Sequence, residues 1–234
     1  MAREKEIKIK LVGLPLDKFT ERITNKGFYL TNTLDQLDIY FDTKDWYLYK
    51  NMAALRLRKI DDKYELFTFK KVFYVPNNTN NYFVEEIEVK APFKDIKSLK
   101  DIFSRLELDY NNIEFQSGSL IIDFLRKQEY FDEQKMSKVR KVYKRGSNEL
   151  VIDTVDKVGV IIELECKKDE PLDLVRTFLD DSEWERDLEG TSYAWLKRVK
   201  GFSEHDNYLK KFQENPKWNV WYNEQGMYRK LIEN

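Results

Sequence analysis

The chain is nearly devoid of cysteine and histidine. Among 234 residues there is one of each, Cys166 and His205. A lone cysteine forms no intramolecular disulfide. One cysteine and one histidine also exclude, within a single chain, a multi-histidine metal centre or a Cys/His zinc site. Any metal would need hard oxygen donors, which favours magnesium, manganese or calcium. Long hydrophobic runs are missing too, and no stretch approaches the ~20 apolar residues of a membrane span. The first ten residues hold Lys and Glu where a secretory leader would be apolar. These absences favour a soluble, cytoplasmic protein without a membrane partner. Net charge is missing as well: 41 Lys+Arg stand against 42 Asp+Glu. A general affinity for nucleic acid is therefore not expected.

What is abundant is charge of both signs, 35% of all residues, beside 41% hydrophobic residues. The length allows one large domain or two small ones. Alternation places most of this charge on strands. EKEIKIKL at 4–11 sets Glu4, Glu6, Lys8 and Lys10 in one register and Ile7, Ile9 and Leu11 in the other. Gln36, Asp38 and Tyr40 alternate with Leu37, Ile39 and Phe41. Arg56 and Arg58 alternate with Leu55 and Leu57, and Glu86 and Glu88 with Ile87 and Val89. In the second half Lys138 and Arg140 share a register, as do Val151, Asp153 and Val155, and Ile161, Glu163 and Glu165. Helical spacing appears at 17–26, 94–106 and 171–180, with a further helix in SLIIDFLRKQEYF and a helical turn or two in SYAWLKRVKGF. Asp17 is the expected N-cap of the first helix and Gly27 its stop. VPNNTNNY reads as a Pro- and Asn-rich loop.

Like charges at i and i+2 on a strand lie on one face, roughly 6.5–7 Å apart. Glu4/Glu6, Lys8/Lys10, Arg56/Arg58, Glu86/Glu88, Lys138/Arg140 and Glu163/Glu165 all repeat this arrangement. One such strand means a solvated face; six pairs ask for counter-ions. An antiparallel sheet closed into a barrel, charged register inward and apolar register covered by helices, reconciles them. Its interior would suit a polyphosphate, bound by Arg and Lys, together with a divalent cation on the carboxylates.

The quoted segments resemble, in order, those of the CYTH family, or triphosphate tunnel metalloenzymes. EKEIK is similar to its Glu-x-Glu-x-Lys signature. DQLDIYFDTKDWYL, ALRLR, FTFKK, EEIEVK, KVRKVY, LVIDTVDKVGVIIELE and TSYAWL resemble its later segments. The resemblance covers most of residues 4–200. It implies an α+β fold with an eight-stranded antiparallel closed β-barrel, a triphosphate tunnel with helices packed outside. The tunnel domain would span 1–202, and 203–234 would be an aromatic, polar C-terminal extension that packs on the domain or a partner.

The resemblance also implies roles. Glu4, Glu6, Asp153, Glu163 and Glu165 would hold Mg2+ or Mn2+. Lys8, Arg56, Arg58, Lys70, Lys138, Arg140 and Lys197 would bind the substrate, and Glu86 and Glu88 extend the set. Catalysis would rest on Glu4, Glu6, Lys8, Arg56 and Arg58. Phe83 and Val84 stand where the family often has an Arg. The leading expectation is metal-dependent hydrolysis of an organic or inorganic triphosphate. The alternatives are a class IV adenylate cyclase, making cyclic AMP and pyrophosphate from ATP, and a non-catalytic nucleotide- or polyphosphate-binding module. A nucleic-acid 5′-triphosphatase is disfavoured by the near-neutral charge. The family resemblance is compatible with a homodimer. Asp42 and Asp45 read as turn residues, His205 as surface, and Cys166 as a small buried apolar side chain.

Overall fold

A computed structural model describes residues 5–51, 53–75, 78–110, 114–167 and 169–187. Glu4, Lys197, the helical turns expected after residue 190 and the 203–234 extension lie outside the described residues. The elements are β1 (Lys5–Leu11), α1 (Leu16–Asn25), β2 (Tyr29–Asp42), α2 (Tyr47–Lys50), β3 (Ala53–Ile60), β4 (Lys63–Val75), β5 (Asn78–Lys90), α3 (Ile96–Arg105), α4 (Gly118–Lys127), β6 (Phe131–Arg145), β7 (Asn148–Val155), β8 (Gly159–Cys166), α5 (Pro171–Val175) and β9 (Trp184–Arg186). The fold is α+β with a mostly antiparallel sheet and few helices. The strands are hydrogen-bonded in the order β5-β4-β3-β2-β6-β7-β8-β1-β9. The order has two ends, β5 and β9, so hydrogen bonds among the described residues do not close the sheet. Eight long strands stand where eight were expected, and the three-residue β9 adds to β1 through Ile9↔Arg186, Lys10↔Glu185 and Leu11↔Trp184.

The chain divides into two compact units. The first comprises residues 1–38, 58–63 and 135–200; the second comprises 39–57, 64–134 and 201–234. In the first, most of the apolar register of β1, β7 and β8 is buried, with Leu11 and Val160 partly so. Ile7, Ile9, Leu150, Ile152, Ile162, Leu164 and Cys166 pack with Phe19 and Ile23 of α1 and Leu174 and Val175 of α5. The two helices thus cover the uncharged face, as the alternation implies. Phe178 seals the layer edge-on against Phe19 and Phe28, at centroid distances of 5.8 and 6.3 Å. Burial pushes the Cys166 thiol up to about 11, so it behaves as a small apolar side chain.

In the second unit, Leu55, Leu57, Phe67 and Phe69 are buried. Phe103 of α3 stacks on Tyr110 at 5.3 Å and meets Phe124 of α4 edge-on at 5.0 Å. Asp95 caps α3 by accepting from the Ser98 backbone N–H at 3.1 Å.

Several expectations shift. The N-cap of α1 is Pro15, and Asp17 sits inside the first turn, where an acid favours the helix dipole. Gly27 ends that helix with φ +87°, a left-handed conformation glycine adopts without strain. The 171–180 segment is helical only to Val175 and continues as hydrogen-bonded turns to Leu179. Most of the NNTNNY stretch is strand rather than loop, with Val75↔Asn78 and Tyr74↔Tyr82 paired across the β4–β5 hairpin. Asp42, expected as a turn residue, is the last residue of β2, and its carboxylate accepts backbone N–H bonds from Thr43, Leu48 and Tyr49 at 2.8, 2.8 and 2.9 Å, fixing the start of α2.

Candidate functional site

The charged register of the first unit forms a site on one sheet face. β1 and β8 pair so that Lys8 faces Glu163 and Glu6 faces Glu165. β7 pairs with β8 through Asp153↔Ile161 and Glu149↔Glu165, and with β6 through Arg140↔Asp153. Residues directly opposite on a ladder share a face. The register therefore puts Glu6, Lys8, Arg140, Asp153, Glu163 and Glu165 on one side, opposite the apolar layer under α1 and α5.

These side chains meet in a row of alternating sign. Lys8 Nζ lies 3.1 Å from Glu6 Oε1 and 3.0 Å from Glu163 Oε1. Arg140 Nη2 donates to Glu163 Oε2 at 3.3 Å. The same guanidinium donates through Nε and Nη2 to the two oxygens of Asp153, at 2.8 and 2.6 Å. Lys138 Nζ donates to Asp153 Oδ2 at 2.8 Å and lies 3.9 Å from Asp38 Oδ2. Asp38 in turn accepts from Arg58 Nε at 2.5 Å and Nη2 at 2.8 Å. The sequence Glu6, Lys8, Glu163, Arg140, Asp153, Lys138, Asp38, Arg58 alternates without interruption. One end is wet and the other dry: the Glu6 side chain is 43% exposed, Lys138 4%, and Asp38 and Asp153 not at all.

Proton affinities follow from the pairing. Burial alone would drive Lys8 towards neutrality, but Glu163 and Glu6 outweigh it and hold the ammonium well above its ordinary pKa. Burial alone would raise Glu163, but Lys8, Arg140 and Lys138 hold it well below the carboxylate range. Arg140 is raised because Asp153 and Glu163 outweigh its burial. Lys138 is the exception. Burial, with Arg140 and Arg58 beside it, pushes it down to about 8 against the pull of Asp38 and Asp153.

The structure thus brings together Glu6, Lys8, Arg58, Lys138, Arg140, Asp153 and Glu163, with Glu165 directly opposite Glu6. Arg56, Lys70, Glu86 and Glu88 belong to the second unit. There Arg56 Nη2 donates to Thr68 Oγ1 at 3.2 Å. Lys70 is paired with its cross-strand neighbour Glu86 at 2.8 Å. Glu88 faces Thr68.

The donors of the first unit suit a hard divalent cation. Glu6 and Glu165 are like charges facing one another across a ladder, an arrangement that a cation between them would relieve. Glu163 is close by but held by Lys8 and Arg140. Asp153 accepts from Lys138 and Arg140 through both of its oxygens. Among the described residues no three carboxylates converge as a ready ion site.

Sequence reasoning passed over Asp38. It was visible as the middle residue of Gln36-x-Asp38-x-Tyr40, but nothing in the alternation named Arg58 as its partner. Gln36, in the same register, is 5% exposed, and its Oε1 has no hydrogen-bond partner among the described residues. That acceptor needs a donor, which a water or a hydroxyl supplies and a phosphate oxygen does not.

Four bases and four acids thus alternate in one row, dry at one end and wet at the other. The comparisons specify the family: the CYTH domain model matches residues 2–192, and the chain belongs to the CYTH domain family. It is 27% identical over 164 residues to a Methanocaldococcus jannaschii protein described as "Putative adenylate cyclase", an alignment covering 69% of this chain and 75% of that one. Its fold is similar to a solved Hippeastrum protein described as "Putative adenylyl cyclase HpAC1", for which a dominant triphosphatase activity is reported. That likeness has a TM-score of 0.54 and 21% identity, over 85% of this chain and 96% of that one. A second solved likeness, from Pyrococcus horikoshii, has a TM-score of 0.50 at 19% identity, over 82% of this chain and 99% of that one. No described helix is long and apolar enough to cross a membrane.

Proposed function

We propose that the chain is an enzyme that binds a triphosphate along the alternating row and hydrolyses it with a divalent metal. The observation that carries this reading is the row itself: Lys8, Arg58, Lys138 and Arg140 are held on one face by buried or half-buried carboxylates. A structural ion network has no need of so many buried charges, since isolated buried pairs add little stability over apolar packing. A site that must receive several negative charges does need them. A triphosphate entering the row takes over the N–H donors that Glu163 and Asp153 now occupy, and the bidentate guanidinium of Arg140 suits its oxygens. Lys8 turns from Glu163 to a phosphate oxygen, which releases Glu163 to join Glu6 and Glu165.

Those three carboxylates, with Glu4, would hold Mg2+ or Mn2+. When bound, the ion supplies charge neutralisation at the phosphate oxygens and activation of water. The basic residues stabilise the charge that develops on the transferred phosphoryl group, and their fixed positions mean that little reorganisation is needed as it develops. The reading also assigns phosphate contacts to Arg56, Lys70 and Lys197.

Hydrolysis is preferred because the structurally similar Hippeastrum protein is described with dominant triphosphatase activity. The relative from Methanocaldococcus jannaschii favours the second reading, cyclisation of ATP. Product analysis separates them. Tripolyphosphate and ATP are incubated with the full chain and Mg2+ or Mn2+. Orthophosphate release supports hydrolysis, cyclic AMP with pyrophosphate supports cyclisation, and no turnover of either compound rejects both. Metal-independent binding without turnover would favour the non-catalytic module.

A further inference from the structure

Asp38 stands next to Arg58 in the dry part of the row, and its side chain is fully buried. It therefore cannot reach a ligand except through its neighbours. Its two oxygens grip Arg58 by Nε and Nη2 at 2.5 and 2.8 Å. That fork fixes the guanidinium plane and takes two of its five N–H donors, leaving three for another acceptor. Lys138 has its short contact with Asp153 and only a longer one with Asp38, so Arg58 is the principal partner. An arginine without such a fork would lose its fixed orientation, and side-chain freedom would then have to be given up on binding.

We propose that Asp38 is a positioning residue for the anion site, locking the Arg58 guanidinium so that its remaining N–H donors face the polyphosphate. This inference rests on the triphosphate reading of the row. It assigns a role to a residue whose side chain is closed to solvent.

Tripolyphosphate binding to the full chain tests it, measured by titration calorimetry in metal-free buffer and again with Mg2+. Asp38→Asn keeps the shape and removes the charge, and is expected to weaken binding about tenfold, the scale of one charged hydrogen bond. Arg58→Ala is expected to weaken binding at least as much. In the double variant, Asp38→Asn should cost no more than about threefold beyond Arg58→Ala, because its effect runs through the arginine. Full affinity in Asp38→Asn, or two losses that simply multiply, would overturn the proposal. Should Asp38→Asn not fold, Asp38→Asn/Arg58→Gln is compared with Arg58→Gln: equal affinity supports the proposal, and a large further loss overturns it. A wild-type chain that binds no tripolyphosphate in either buffer rejects the triphosphate reading and this inference together.

Discussion

A charged residue on a strand declares its register but not its partner. Glu6 and Glu163 look alike in the sequence, two acids in alternating strands. In the structure one is a half-exposed carboxylate opposite Glu165, and the other is fixed between Lys8 and Arg140. Register was legible for almost every site residue of the first unit because the apolar half of each strand is strict. Partnership was not, because it depends on which strands become neighbours. Asp153 shows the cost: nothing in the sequence announced that this expected metal ligand is shared by Lys138 and Arg140. Asp153→Asn should leave those bases without their shared counter-charge and cost about 3–5 kcal/mol in chemical denaturation, the scale of a broken buried ion pair. Glu6→Gln and Glu165→Gln should behave oppositely. Both are expected to lower metal-dependent turnover more than about 100-fold with little change in thermal midpoint. A fully active variant would remove that residue from the ligand set.

At the scale of elements, helices were read to within a residue or two where one face is apolar, as in α1 and α3. β2 was read seven residues short at its start. Its first five residues, Tyr29 to Thr33, are all exposed. With both faces wet there is no alternation to detect. The Asn-rich start of β5 escaped for a related reason, since its composition signals a turn. Gly118, first residue of α4, is a contact no sequence pattern announces. A Cβ there would clash with the ring of Tyr64 in β4. Gly118→Ala should therefore destabilise by about 1–3 kcal/mol, as overpacking does. An unchanged denaturation midpoint would mean that Tyr64 moves aside without cost.

For the whole molecule, a net charge near zero concealed a local concentration of cations. Composition gave no reason to expect general nucleic-acid affinity and could not see the row, which is itself nearly neutral before a ligand arrives. Its pH behaviour follows from Lys138. Below a pKa of about 8 this ammonium is charged and adds to the site; above it the charge is lost. Tripolyphosphate affinity should therefore fall as pH rises through about 8, and a flat profile from pH 7 to 9 would contradict that role. Glu163 works at the acid end. Its pKa is depressed in the folded state, so its stabilising contribution is present above the ordinary carboxylate range and is lost as pH falls through the depressed value.

The most direct measurement is a crystal structure of the full chain with a non-hydrolysable triphosphate and Mn2+, the metal located by anomalous scattering. The account predicts phosphate oxygens on Lys8, Arg58, Lys138 and Arg140, with manganese at Glu6 and Glu165. A triphosphate bound away from those four bases, with Arg140 and Lys8 still paired to their present carboxylates, would contradict it.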